Sequence, residues 1–151
     1  MIKITKLALA FFSSLLLFNI SAQAGGHYTG PDLSGQKVTI SGPWLAPEDG
    51  YMREIASIFE KATGATVEYG GSDSFEQQIV IDIKAGSPAD IAIFPQPGLA
   101  ANMAAIGGLK PLSNDVKQAV MDNYAAGQSW VDLATYPDEN GNDQFYAIFY
   151  K

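Results

Sequence analysis

The sequence predicts an α/β fold: a βαβαβ parallel sheet with helices on both faces. Three observations predict it. Short β-branched runs alternate with helix-length amphipathic segments between residues 37 and 106. The helical segments close on glycine, at Gly64, Gly86 and Gly107. The third strand segment, Asp90-Ile91-Ala92-Ile93-Phe94, is apolar enough to be covered on both faces.

The elements follow in order. Lys3 and Lys6 form a positive start, residues 7–20 are an almost unbroken apolar run, and Ala22-Gln23-Ala24 is a small-x-small cleavage pattern. A membrane-spanning helix needs about 20 apolar residues; this shorter run, ending in a cleavage pattern, reads as a signal peptide over residues 1–24, cut between Ala24 and Gly25. No cysteine follows it to carry a lipid anchor. Residues 25–36 are Gly-rich and polar and read as a flexible segment holding His27.

Lys37-Val38-Thr39-Ile40-Ser41-Gly42 is the first strand. A helix is predicted over 47–63, with Tyr51, Ile55, Ile58, Phe59 and Ala62 on one apolar face and Glu48 and Asp49 in the first turn. Thr66-Val67-Glu68-Tyr69 is the second strand, stopped by Gly70-Gly71. The second helix covers 73–85. Asp73 with Glu76, or Ser74 with Gln77, supplies a capping box, and Phe75, Ile79, Val80 and Ile83 form its buried stripe. After the third strand, Pro95-Gln96-Pro97-Gly98 reads as a turn and 99–106 as a short Ala-rich helix. A weaker helix is predicted over 115–124. Strands at 131–136 and 144–150 then flank a hairpin loop containing Asn140-Gly141. The final run is still apolar where the sequence stops at Lys151. The chain is therefore read as the front portion of a longer protein, against the alternative of a terminal edge strand in a complete small domain.

Charge and composition remove whole classes of function. The 151 residues hold 9 basic and 16 acidic side chains, a formal charge of −7. Without Lys3 and Lys6 the mature part falls to −9, a poor match for nucleic acid or an anionic membrane. With no cysteine and one histidine, these residues offer no disulfide, thiolate zinc site, cysteine nucleophile or two-histidine site. No phosphate-cradling glycine motif and no G-x-S-x-G elbow occurs. Asp138-Glu139-Asn140-Gly141-Asn142-Asp143 resembles half a calcium loop, but Asp143 stands at the required glycine and Phe149 at the closing glutamate. It reads as a solvated hairpin loop. No cofactor or metal is expected.

What remains is positional. In an open α/β sheet, ligands bind outside the carboxyl ends of the strands. Those ends are the loops 43–49, 70–74 and 95–98. They offer Trp44, Glu48, Asp49, Ser72, Asp73 and Gln96 as candidate ligand-binding residues. Trp44, in a proline-flanked loop straight after a strand, is off the core periodicity. A flat aromatic face with carboxylates, amides and hydroxyls suits a sugar, whose C–H face stacks while the polar groups take its hydroxyls. The alternatives are a Trp44 that only covers the sheet edge, and a cationic ligand on the same acids.

Five stretches carry a family resemblance: Ala22-Gln23-Ala24; Val38-Thr39-Ile40-Ser41-Gly42; Ile58-Phe59-Glu60-Lys61-Ala62-Thr63-Gly64; Gly86-Ser87-Pro88-Ala89-Asp90-Ile91-Ala92; and Gln144-Phe145-Tyr146-Ala147-Ile148. From residue 37 the chain resembles the N-terminal part of the bacterial extracellular solute-binding proteins, family 1, which serve ABC importers of sugars. The Gly42-Pro43-Trp44 and Pro95-Gln96-Pro97 loops are most similar to α-glucoside-type members. Many members carry a proline where Phe149 stands, which leaves the path into the next strand open.

The resemblance implies a periplasmic-binding-protein-like fold of two lobes closing on a sugar, with residues 37–151 as a partial first lobe. It implies a periplasmic monomer that hands its sugar to ABC permease subunits, with no nucleic acid partner, no stable membrane insertion after cleavage and no catalysis. A binding protein for a polyamine or other small cation is the alternative within the class. Outside it stand a secreted glycan-cleaving enzyme, which needs two carboxylates about 5–10 Å apart, and an inactive truncated fragment.

Overall fold

The computed structural model describes residues 28–150. The expected signal peptide, its Ala24–Gly25 cleavage site and His27 lie outside the described residues.

Three parallel strands, β1 (Lys37–Gly42), β2 (Thr66–Gly71) and β3 (Ile91–Ala92), form a sheet in the order β2-β1-β3. Helix α1 (Asp49–Thr63) joins β1 to β2, and α2 (Phe75–Ala85) joins β2 to β3. The chain thus steps outward from β1 to β2 and then back across β1 to β3. Crossovers of one hand running in opposite directions place α1 and α2 on opposite faces of the sheet. Beyond the sheet come α3 (Pro97–Ala105), α4 (Asn114–Asn123) and α5 (Gly127–Leu133). An antiparallel pair follows, β4 (Thr135–Pro137) with β5 (Asp143–Phe145).

The helix stops are as predicted: Gly64 and Gly86 are left-handed at φ 78° and 72°, and each N–H returns to the preceding turn. The starts are not. No capping box forms at α2; Ser72 Oγ accepts from the Ser74 N–H, and the Ser74 hydroxyl donates to Asp73, so these side chains are spent within the turn. Pro97 and Gly98 belong to α3 rather than to a turn, because a proline at the first helical position loses no hydrogen bond.

Helix α1 turns a different face inward from the one its apolar periodicity predicts. Ile55 and Ile58 are 60% and 64% exposed, and Tyr51, Phe59 and Ala62 are exposed as well, whereas Ala56 and Thr63 are buried. One hydrogen bond ties the helix to β2 in this rotation, and a local pair closes the helix end. Glu60 Oε1 accepts from the Val67 N–H of β2, which among the described residues pairs with β1 alone. Thr63 Oγ1 donates to Phe59 O and accepts from the Ala65 N–H. The small side chains at 56 and 63 take the buried positions.

β3 is shorter and less covered than predicted. Only Ile91 and Ala92 pair with β1, Ile91 is half exposed, and among the described residues β3 has a partner strand on one side only. The segment before it is pinned by Asp90. Its Oδ2 accepts from both the N–H and the hydroxyl of Thr39, and its own N–H donates to the Thr39 hydroxyl.

Downstream, residues 131–133 are helical rather than strand. Val131 and Ala134, one helical turn apart, are both fully buried against Val120 and Phe145. The hairpin does turn at Asn140-Gly141, with Gly141 at φ 83°, and Asp138 Oδ1 accepts the N–H groups of Asn140 and Asn142. The expected strand over 144–150 ends at Phe145, and the Tyr146 N–H donates to Ala134 O just before β4. A second cluster, Ala100, Ala104, Tyr136 and Tyr146 with Phe94, joins α3 to the hairpin. Phe94 in turn meets Phe75 of α2 edge-on, ring centres 5.8 Å apart.

Residues 33–36 are hydrogen-bonded to the fold: the Leu33 N–H donates to Thr63 O, and Gln36 O accepts from the Thr66 N–H.

Candidate functional site

Parallel pairing brings the carboxyl ends of all three strands to one edge. Gly42 lies beside Gly71, and Ser41 beside Ala92. The register continues past the strands: the Ser72 N–H donates to Gly42 O, and the Ile93 N–H to Ser41 O. The loops carrying Trp44, Ser72 with Asp73, and Gln96 therefore leave from one edge. In a sheet of this order the crevice lies between β1 and β3, where successive connections diverge to opposite faces.

Trp44 is the best-anchored residue of the edge. The Tyr69 hydroxyl accepts from the Trp44 N–H at 3.0 Å and donates to the Trp44 C=O at 3.1 Å. A Cβ at Gly71 would overlap the Trp44 carbonyl oxygen, so the backbone passes over β2 at a point only glycine allows. Gly70 and Gly71, expected to end the strand, instead continue it, paired with Ser41 and Gly42. Burial pushes the Tyr69 phenol above its ordinary range, against the weaker opposing pull of the Trp44 backbone bond. The indole is half-buried and meets Tyr150 edge-to-face.

The other candidates divide. Asp49 is engaged within α1: its Oδ2 accepts from Arg53 Nε at 3.0 Å and lies 2.9 Å from the other guanidinium nitrogen. Glu48 is exposed and, with Pro47, Gly50, Tyr51 and Glu54, lines a shallow depression of about 410 Å³ at the start of α1. Ser72 and Asp73 bond within their own turn, and Gln96 is exposed at the start of α3. Among the described residues, no group of three or more histidine or acidic side chains is arranged to hold a metal ion. Sequence reasoning missed Tyr69 and Gly71 as parts of the site. Their signal was present in the Tyr69-Gly70-Gly71 run at a strand's carboxyl end, but read only as a strand with its stop. One further group stands out: Ser41 Oγ, next to Gly42 on the central strand, is buried without a hydrogen-bond partner among the described residues.

Residues 42–150 match the family model of the bacterial extracellular solute-binding proteins. The α-glucosides-binding periplasmic protein AglE of Rhizobium meliloti (strain 1021) is 52% identical over 122 residues, 81% of this chain and 27% of that protein. The osmoprotective compounds-binding protein GgtB of Synechocystis sp. (strain ATCC 27184 / PCC 6803 / Kazusa) is 32% identical over 126 residues, 81% of this chain and 28% of that protein. The chain thus spans about a quarter of the length of these relatives. A solved structure of CpMnBP1 with mannotriose bound superposes with a TM-score of 0.49 at 17% identity, over 68% of this chain and 26% of that one.

Proposed function

The chain belongs to the bacterial extracellular solute-binding proteins, and we propose that it captures an α-glucoside or similar oligosaccharide in the periplasm for delivery to an ABC permease. The observation that carries this reading is Trp44. Its half-buried indole sits at the carboxyl end of the central strand, on a backbone clamped by Tyr69. An aromatic ring on a backbone fixed in this way offers a stacking platform at reduced ordering cost. The 52% identity to a protein named for α-glucosides supports the ligand class. In this reading residues 37–151 form the first-lobe side of a two-lobed cleft, the protein acts as a monomer and it catalyses nothing. Residues 1–24 direct export. Gln96 and Asp73 hold sugar hydroxyls from the rim. Glu48 does so at the margin, and Asp49 contributes through Arg53.

A small cation is the second reading, favoured by the formal charge of −7. Calorimetric titration of the exported protein with maltose and with putrescine separates the two. Maltose should bind and putrescine should not. Trp44→Ala should then weaken maltose by about 5- to 150-fold, the loss of one well-placed aromatic contact. Gln96→Ala should weaken it less, since a neutral hydrogen bond nets only about 1 kcal/mol. Unchanged affinity in Trp44→Ala would return the indole to covering the sheet edge.

A further inference from the structure

We infer that Asn140 is a site of spontaneous deamidation, its rate set by the Asp138 carboxylate that closes the hairpin turn around it.

The reaction needs an asparagine whose side chain can be reached by the backbone nitrogen of the next residue. Asn140-Gly141 is the one Asn-Gly pair of the sequence, and a glycine places no Cβ beside the attacking nitrogen. Both residues are exposed, at the tip of the loop between β4 and β5. Among the described residues no hydrogen bond holds the Asn140 side-chain amide, whereas that of Asn123 donates to Ala119 O and that of Asn142 to Asp138 Oδ2. The Gly141 nitrogen gives up its proton and bonds to Cγ of Asn140. The Cγ–Nδ2 bond breaks, and Nδ2 leaves as ammonia, taking up the proton that the glycine nitrogen lost. The succinimide ring then adds one water. Opening at Cγ restores the backbone and leaves aspartate. Opening at the backbone carbonyl carbon leaves Gly141 joined through Cγ, as isoaspartate.

The fold adds a guard to this chemistry. The attacking nitrogen is engaged: the Gly141 N–H donates to Asp138 O at 3.0 Å. Asp138 Oδ1 accepts from the N–H groups of Asn140 and Asn142, each at 2.8 Å, and the Asp138 N–H donates to Asn142 O at 2.8 Å. An imide nitrogen carries no hydrogen, so ring closure forfeits the Gly141 bond. Turning the Asn140 backbone toward its own side chain disturbs the two bonds to Oδ1 as well. The turn must therefore open locally before the ring can form. The product adds a negative charge beside Asp138, Glu139 and Asp143. As isoaspartate it also lengthens the backbone of the hairpin whose strands carry Tyr136 and Phe145 into the core.

Ageing the exported chain at mildly alkaline pH, folded and in urea, tests the inference; peptide mapping reads the mass increase from amide to acid. Conversion at Asn140 is expected in the folded chain, ahead of Asn102, Asn114 and Asn142, with isoaspartate among the products. It should run at least about tenfold slower than in urea. Asp138→Ala, which deletes both Oδ1 bonds, is expected to speed conversion in the folded chain by about 5- to 50-fold and to leave the rate in urea unaltered. Asp138→Asn keeps a side-chain acceptor in the turn and should stay within about threefold of the unaltered chain. No conversion at Asn140 in the folded chain, over a period in which the chain in urea converts, would overturn the site. Equal rates folded and in urea, or an Asp138→Asn rate as fast as that of Asp138→Ala, would overturn the guard. So would an Asp138→Ala rate no faster than that of the unaltered chain.

Discussion

The Tyr69 hydroxyl holds Trp44 by both backbone groups, accepting from its N–H at 3.0 Å and donating to its C=O at 3.1 Å. One phenol thereby fixes the loop after β1 to the strand beside it. Tyr69 is itself buried, and its raised pKa keeps it protonated and able to donate well above neutral pH. The folded pKa exceeds the unfolded one, so the phenol's contribution is complete below about pH 10 and declines as pH rises through the folded value.

Tyr69→Phe keeps the ring and deletes both bonds. Each hydrogen bond nets about 0.5–1.5 kcal/mol, so urea unfolding should show a loss of about 1–3 kcal/mol. Maltose affinity should fall with it, since the indole platform is no longer held. A variant with unaltered stability would show that water replaces the phenol at no cost.

Gly71→Ala places a methyl group on the Trp44 carbonyl oxygen. Backbone, not a flexible side chain, stands in the way, so β2 or the Trp44 loop must shift. A loss of about 2–4 kcal/mol is expected, and thermal melts should show it. Gly70→Ala, whose Cβ would have only the Ile40 carbonyl oxygen nearby, at 4.0 Å, serves as the control with a far smaller effect.

The Asp90–Thr39 bonds make stability depend on acid. The Thr39 N–H and hydroxyl hold the Asp90 carboxyl below its ordinary range, and the N–H groups of Asn142 and Asn140 do the same for Asp138. Their folded pKa values lie below the unfolded ones. The contribution is therefore present above about pH 4 and lost as pH falls through the folded values, where the unfolded chain binds protons first. Thr39→Val should lower the melting temperature at pH 6 and flatten its fall as the pH drops below about 4. An unchanged acid slope would remove Asp90 from the account.

The exposed face of α1 gives a fourth test. Tyr51, Ile55 and Ile58 leave an apolar strip on the 151-residue chain, and such strips promote association. Light scattering should show that chain self-associating, and Ile55→Glu with Ile58→Lys should suppress it. Ala56→Leu, on the inward face, should instead destabilise by about 1–3 kcal/mol through overpacking. The reverse pattern would mean that α1 is rotated as its periodicity alone predicts.

Local information carried much of the fold. β-branched runs placed β1 and β2, glycines placed the ends of α1 and α2, and Asn140-Gly141 placed the hairpin turn. Each depends on the residue's own φ/ψ preference or on side chains a few positions away. The same locality exposed the loop bearing Trp44, because an indole off the core period next to prolines has no strand or helix face to occupy.

What the sequence determined by itself, then, was the order of elements, the strand-end loops and the aromatic residue among them. Tertiary structure decided which face of α1 turned inward, that residues 131–133 are helical, and that Tyr69, Gly71 and Tyr150 surround Trp44. The reason is separation along the chain. Glu60 reaches Val67 across a strand boundary, Tyr69 reaches Trp44 over 25 residues, and Tyr150 meets Trp44 from the far side of the fold. Periodicity reports how apolar a face is, not which neighbour covers it. Only the assembled fold brought those partners within contact distance.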